Sequence, residues 1–350
     1  MQLPIDVPVA PMLARLVDEL PPADAVPAGY RYEPKWDGFR CVVLRDGDQV
    51  ELTSRMNKSL TSYFPEIVEY VREALPSRCV VDTEIFVPSG PAGAQHLDWD
   101  ALSSRVHPSL RRVARMAEQN PAEMVAFDVL ALDNRNLCTL PFSERRTVLE
   151  DLLESIDPSI GLHLTAQTED LATAQAWYDS FEGSGLDGLM IKDAAGQYEY
   201  GRRSWLKKKH VRTAEAVIVG YRRNPRYRGV GHLLLAMYGA ADESLYYVGV
   251  VNSLTDQQRI DLAEELRPFE LAQADAPKLN GMPPKGSMTT HALVNLQPTR
   301  VVEVEFDQLE GGQFRHPAKF RRWRIDRDPR TCRLDQLTLS SAYDLAKVLE

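Results

Sequence analysis

The feature that most limits how this chain can fold is a change of hydrophobic period at about Arg212. Before it, β-rich runs (FRCVVLRDG, RCVVDTEIFV, MVAFDVLAL and DGLMIK) mix with helical stretches at Phe64–Leu75, Ser103–Glu118, Ser143–Ile156 and Glu169–Phe181. Ser143 precedes an apolar-periodic run and reads as an N-cap. Strands and helices without strict βαβ alternation predict an α+β domain of antiparallel sheets and helices over residues 1–212. After Arg212, AEAVIVGYRR, HLLLAMYG, LYYVGVV and VVEVEFDQL read as strands, the last with clear alternation. One helix, Thr255–Leu266, interrupts them, and Thr255 with Gln258 matches a capping box. This predicts a small OB-type β-barrel over residues 213–350, with APKLNGMPPKGSMTT as a long loop. At 350 residues two domains suit the length better than one core.

No stretch approaches the ~18 apolar residues of a membrane span. The N-terminus lacks a basic leader followed by an apolar run, so a cytoplasmic protein with no membrane partner is expected. Cys41, Cys79, Cys138 and Cys332 are scattered and fit reduced thiols, with Cys79 in the core. A net charge of −9 argues at first against a nucleic-acid partner. The local distribution argues the other way. Gly201–Arg212 carries six cations and no acid, RRNPRYR forms a second cluster, and a third runs from Arg315 to Arg327. Any one cluster reads as a solvated face, but three of them interleaved with aromatics favour phosphate binding.

The strongest chemical signal is Glu33-Pro34-Lys35-Trp36-Asp37-Gly38-Phe39-Arg40. A lysine attacks phosphorus only as the free amine, and an unperturbed pKa of ~10.4 keeps it protonated at neutral pH. Converging cations or burial are expected to depress that value. Gly38 would let backbone approach a nucleotide closely.

Here the chain resembles the covalent nucleotidyltransferases, and among them the ATP-dependent DNA ligases of the compact bacterial ligase C and ligase D groups. The later motifs follow in that family's order: Thr53-Ser54-Arg55, Asp82-Thr83-Glu84, Ala126-Phe127-Asp128-Val129, Asp187-Gly188-Leu189-Met190-Ile191-Lys192, Trp205-Leu206-Lys207-Lys208-Lys209, and Arg315-His316-Pro317 with Arg324-Ile325-Asp326-Arg327. The resemblance implies that Lys35 takes AMP from ATP and passes it to a DNA 5′-phosphate, which a 3′-hydroxyl then attacks. It implies that Glu33 recognises adenine and Phe127 stacks on it. Arg40, Arg55 and Glu84 would hold the ribose and phosphate side. Lys192, Lys207 and Lys209 would bind the α-phosphate, and Arg324 and Arg327 the pyrophosphate. Glu84 and Asp187 would hold Mg²⁺ or Mn²⁺. It further implies a monomer acting on nicked or broken duplex DNA in repair, alongside end-joining or excision-repair proteins; the composition change near Lys209–Ala214 marks where a hinge is expected. Two departures stand out: Asp187 replaces the usual Glu, and Arg327 the more frequent Lys. An RNA ligase or capping guanylyltransferase would use the same lysine, and a non-enzymatic OB-type binder would not need it.

Overall fold

The computed structural model describes residues 1–224, 229–281, 293–338 and 343–349. Most of the long loop expected after Asp275, and the end of the second basic cluster, lie outside these residues. The chain divides into two compact units, Met1–His210 with Ser341–Glu350, and Val211–Ser340.

Besides three two-residue strands, the described first unit is built on β1 (Ala14–Leu16), β2 (Tyr30–Pro34), β3 (Phe39–Asp46), β4 (Gln49–Ser54), β5 (Arg78–Phe86), β6 (Glu123–Leu132), β7 (Leu162–Leu164), β8 (Gly188–Asp193) and β9 (Trp205–Lys209). They form one sheet of order β7-β6-β5-β3-β4 and a second of order β1-β9-β8-β2. Pairing is antiparallel except at two ends, β7 on β6 and β1 on β9, where the strands run parallel. The alternation of β3 explains the layering. Cys41 and Val43 point to a core filled by helix α1 (Pro65–Ala74) and its neighbours, whereas Val42 and Leu44 share a cluster with Trp205 and Met190 from the second sheet. The two sheets therefore face each other across an apolar layer, where Arg40 and Lys192 reach the rings of Phe127 and Trp205.

The helix expected over Ser103–Glu118 is two helices, α2 (Trp99–Ser104) and α3 (Leu110–Gln119). Pro108 keeps His107 out of the helical region, and Ser109 restarts the helix by accepting from Arg112 N. Helix α4 (Phe142–Leu153) has Pro141 at its N-cap, so Ser143 lies inside the first turn and does not cap it. Asp170 caps α5 (Leu171–Ser180). The four cysteines are free and buried, and no described helix is long and apolar enough to cross a membrane.

In the second unit, β10 (Arg212–Asn224), β11 (Gly229–Tyr238), β12 (Leu245–Val251), β13 (Glu270–Leu271), β14 (Leu279–Asn280), β15 (Leu293–Phe306) and β16 (Lys319–Trp323) form one sheet. Its order is β13-β15-β10-β11-β12-β14, with β16 also on β15; among the described residues the path is open rather than a closed barrel. Helix α6 (Asp256–Leu266) starts with the expected capping box between Thr255 and Gln258. On β15, Val302, Val304 and Phe306 enter the core while Glu303 and Glu305 face outward. A short helix, α7 (Ala346–Leu349), returns to the first unit, so residues the sequence reading grouped with the barrel pack elsewhere.

Candidate active site

Lys35 lies between β2 and β3, held by backbone bonds on both sides: its N–H donates to Gly188 O (2.9 Å), and its carbonyl accepts from Asp187 N–H (2.9 Å). Gly188 has φ +122, and a Cβ there would collide with the Lys208 carbonyl, so the start of the β8–β9 pairing beside Lys35 requires glycine. Gly38 is fixed by the same kind of constraint, because a Cβ would strike Ile85 O on β5. Its N–H donates to Glu84 Oε1 at 3.0 Å. That crowding by protein backbone, rather than room for a nucleotide, is what demands glycine at position 38.

The Lys35 amine donates to Asp187 Oδ2 at 2.6 Å, and Lys209 Nζ sits 2.9 Å from the same oxygen. Burial pulls the Lys35 pKa down, but Asp187, Asp37 and Glu84 together outweigh it, so the value lies above that of a free lysine. This reverses the expectation of a depressed Lys35. The cations do converge, and the group they lower is Lys207: after burial, its downward push comes from Lys35, Lys209 and Arg55. Asp187 offsets that charge and is held below the ordinary carboxylate range by Lys35 and Lys209, despite burial.

Burial raises the Glu84 pKa to about 7, and Lys35 and Arg40 only partly offset it. A folded pKa above the ordinary 4.5 means the carboxylate's contribution is fully present below about 4.5 and lost as pH rises through about 7. Glu84→Gln is therefore expected to stabilise the ligand-free protein by about 1–3 kcal/mol at pH 8 and not at pH 4.5. Paired melting curves at the two pH values test this, and an equal shift at both would overturn it.

Glu33 and Lys192 define a second cluster. Glu33 is 1% exposed; its Oε2 lies 2.7 Å from Lys192 Nζ and its Oε1 accepts from Gln167 Nε2 at 2.9 Å. Lys192 also donates to Phe127 O (2.8 Å) and lies 4.9 Å from the centre of the Phe127 ring. Burial lowers its pKa more than Glu33 restores it. Lys192 stands four residues along β8 from Gly188, about 13 Å away at strand spacing. The structure pairs it with Glu33 and Phe127, while the strand register puts it on the same sheet face as Lys207, two residues beyond that lysine's partner Met190. Arg40 forms a bidentate pair with Asp82 (Nε 3.0 Å, Nη2 2.6 Å), and its guanidinium lies 5.6 Å from the Phe127 ring centre. Tyr198 donates to Asp82 at 2.6 Å.

Arg324 and Arg327 belong to the second unit, where both bind Glu215; Arg324 also pairs with Glu303 and Asp326. Lys319 and Arg321 pair with Glu305, and Arg322 with Glu303. Much of the third basic cluster is thereby neutralised by the outward face of β15. Two partners, Arg146 and Gln167, are in none of the sequence motifs, and Asp82 stands in one without its pairing to Arg40 being legible there. Arg146 Nη1 is buried without a hydrogen bond 3.8 Å from Glu33.

Residues 11–209 match the model of the ATP-dependent DNA ligase domain, and residues 226–327 that of the ATP-dependent DNA ligase C-terminal region. DNA ligase C1 of Mycolicibacterium smegmatis and DNA ligase C of Mycobacterium tuberculosis are each 42% identical to this chain, covering 100% of it and 99% of the relative. A solved Lig E DNA ligase shares the fold at a TM-score of 0.54 and 18% identity, over 90% of this chain and 99% of that one. By these matches the chain belongs to the ATP-dependent DNA ligases. Its activity is the ATP-dependent joining of DNA.

Proposed function

We propose that this ligase works through a lysyl-AMP on Lys35 and that it serves DNA repair. The observation that carries the first part is the Lys35 amine held against Asp187 with Lys207 and Lys209 beside it. As the Lys35 amine attacks the α-phosphate and pyrophosphate leaves, its proton passes to Asp187, the carboxylate that already accepts its hydrogen bond at 2.6 Å. Lys207, Lys209, Arg55 and Arg40 then supply charge to the phosphates. Glu33, with Gln167 beside it, offers a buried acceptor for the adenine amino group, and Phe127 a ring for its face.

Glu84 and Asp187 are the acids assigned to a divalent ion. Two carboxylates suit Mg²⁺ or Mn²⁺ shared with substrate phosphates, since Mg²⁺ keeps several waters and needs few protein ligands. No described cluster of three or more such ligands points to a metal bound by protein alone. Glu84 accepts from Gly38 N–H at 3.0 Å, three residues from Lys35, where a cation arriving with ATP would meet its carboxylate. Bound, that ion would neutralise developing charge on the triphosphate. We assign the second unit to the OB type. Arg324 and Arg327 are assigned to the pyrophosphate, once released from Glu215.

Mass spectrometry of peptides from protein incubated with ATP and Mg²⁺ is expected to place the adenylate on the peptide bearing Lys35. An adenylate mapped to any other residue would overturn the assignment. Transfer from ATP but not GTP, and sealing of nicked DNA but not RNA, separates this reading from a guanylyltransferase or an RNA ligase.

A further inference from the structure

The last described residues of the chain pack directly behind the nucleophile. Leu345 is fully buried and Val348 is 2% exposed, in one apolar cluster with Trp36, Phe86, Val125, Phe181 and Leu186. Trp36 follows Lys35 in the chain and Leu186 precedes Asp187, so both partners of the catalytic ion pair are chain neighbours of residues in this cluster. The seat is specific. Leu345 N–H donates to Gln95 O at 2.9 Å, and Asp344 Oδ1 accepts from Gln95 N–H at 3.1 Å. Tyr343 lies against Phe181 with ring centres 5.0 Å apart. Trp36 is fixed on its other side by stacking on Phe86 (5.2 Å) and by donating from Nε1 to Thr165 Oγ1 at 2.9 Å. Phe86 at the end of β5 and Thr165 just after β7 hold the Trp36 indole, and the C-terminal segment shares its buried cluster.

We propose that Tyr343–Leu349 is a positioning element for self-adenylation, with Leu345 as its anchor. It acts through Trp36 and Leu186 on the spacing of Lys35 and Asp187. The proposal rests on Lys35 as the nucleophile. A void left by a shortened Leu345 lets Trp36 and Leu186 shift, and tenths of an ångström at Lys35 weigh heavily on attack at phosphorus. The same displacement leaves the joining of an already adenylated DNA end untouched, because Lys35 is not the nucleophile in that step.

The test compares two reactions of the full-length chain carrying Leu345→Ala, Val348→Ala or the conservative Leu345→Met. One is the single-turnover rate of lysyl-AMP formation across ATP concentrations. The other is sealing of a nicked duplex supplied with a pre-adenylated 5′-phosphate. Leu345→Ala is expected to slow adenylation about tenfold at saturating ATP, with the half-saturating ATP concentration and pre-adenylated sealing each within about twofold of wild type. Val348→Ala should show a smaller effect of the same pattern, and Leu345→Met should restore the rate. Unchanged adenylation in both alanine variants would overturn the proposal. So would a parallel fall of both reactions, which marks general loss of folded protein. Lys35→Ala serves as the control: if it still forms an adenylate, the reading of Lys35 fails instead.

Discussion

Lys35→Ala is expected to abolish the covalent adenylate and to lower sealing of an ordinary nick by about 10⁴-fold or more, the scale of losing a covalent nucleophile. The loss should be confined to the first chemical step. Lys35 Nζ contacts Asp187 at 2.6 Å, and Lys209 lies 2.9 Å from the same carboxylate. Removing the Lys35 amine therefore leaves Asp187 with a cationic partner and does not strand a buried charge. The variant should fold, and it should retain sealing of a pre-adenylated nick within about tenfold of wild type. Lys35→Arg is expected to behave like the alanine variant, because a guanidinium stays charged and is no nucleophile at neutral pH. Gel detection of labelled AMP on the denatured protein, beside sealing of the two substrates, decides the matter. Label on the alanine variant would sink the assignment.

What was legible in the sequence is what its chemistry keeps contiguous. Lys35, Gly38 and Arg40 fall in one short run, and the strands bearing Glu84, Phe127 and Lys192 announce themselves by apolar runs bounded by turns. What was not legible is which distant groups meet. Lys35 and Asp187 are 152 residues apart, and nothing in a local pattern says that a carboxylate would cancel the field of the converging cations. The direction of the Lys35 shift was misread for that reason. Lys192 joins the phosphate lysines only through the resemblance, and its ion pair with the distant Glu33 is written in no local pattern. The break at Pro108 was written in the sequence, but the helical pattern on both sides masked it. The C-terminal segment shows apolar residues at Leu345, Val348 and Leu349 in helical spacing, yet so short a pattern does not name the surface it covers.

The largest stability effect is expected beneath Phe127. Asp128 and Arg145 are both fully buried and bound in two places, Nε to Oδ1 at 2.8 Å and Nη2 to Oδ2 at 2.9 Å. Arg145 Nη1 also donates to Leu140 O (2.7 Å) and Gly196 O (3.0 Å), and Asp128 Oδ1 accepts from Val129 N–H at 2.9 Å. The pair fixes the β6 bulge next to Phe127 against the start of α4 and the turn after β8. Its net worth over a well-packed apolar pair is small, since two desolvated charges largely cancel their attraction. Breaking one side is different. Asp128→Ala leaves a guanidinium that cannot lose its proton buried without a counter-charge, and about 3–5 kcal/mol of stability should go with it. Replacing both, as Asp128→Leu with Arg145→Met, should recover most of that loss, because no charge is left behind. Denaturant unfolding of the single and double variants measures the difference. If Asp128→Ala alone costs under about 1 kcal/mol, the pair does not fix this bulge as its geometry implies. Because Phe127 precedes Asp128 directly, the double variant also asks a functional question. A protein restored in stability but with weakened ATP binding would show that the ion pair sets the angle of the aromatic ring as well as holding the fold.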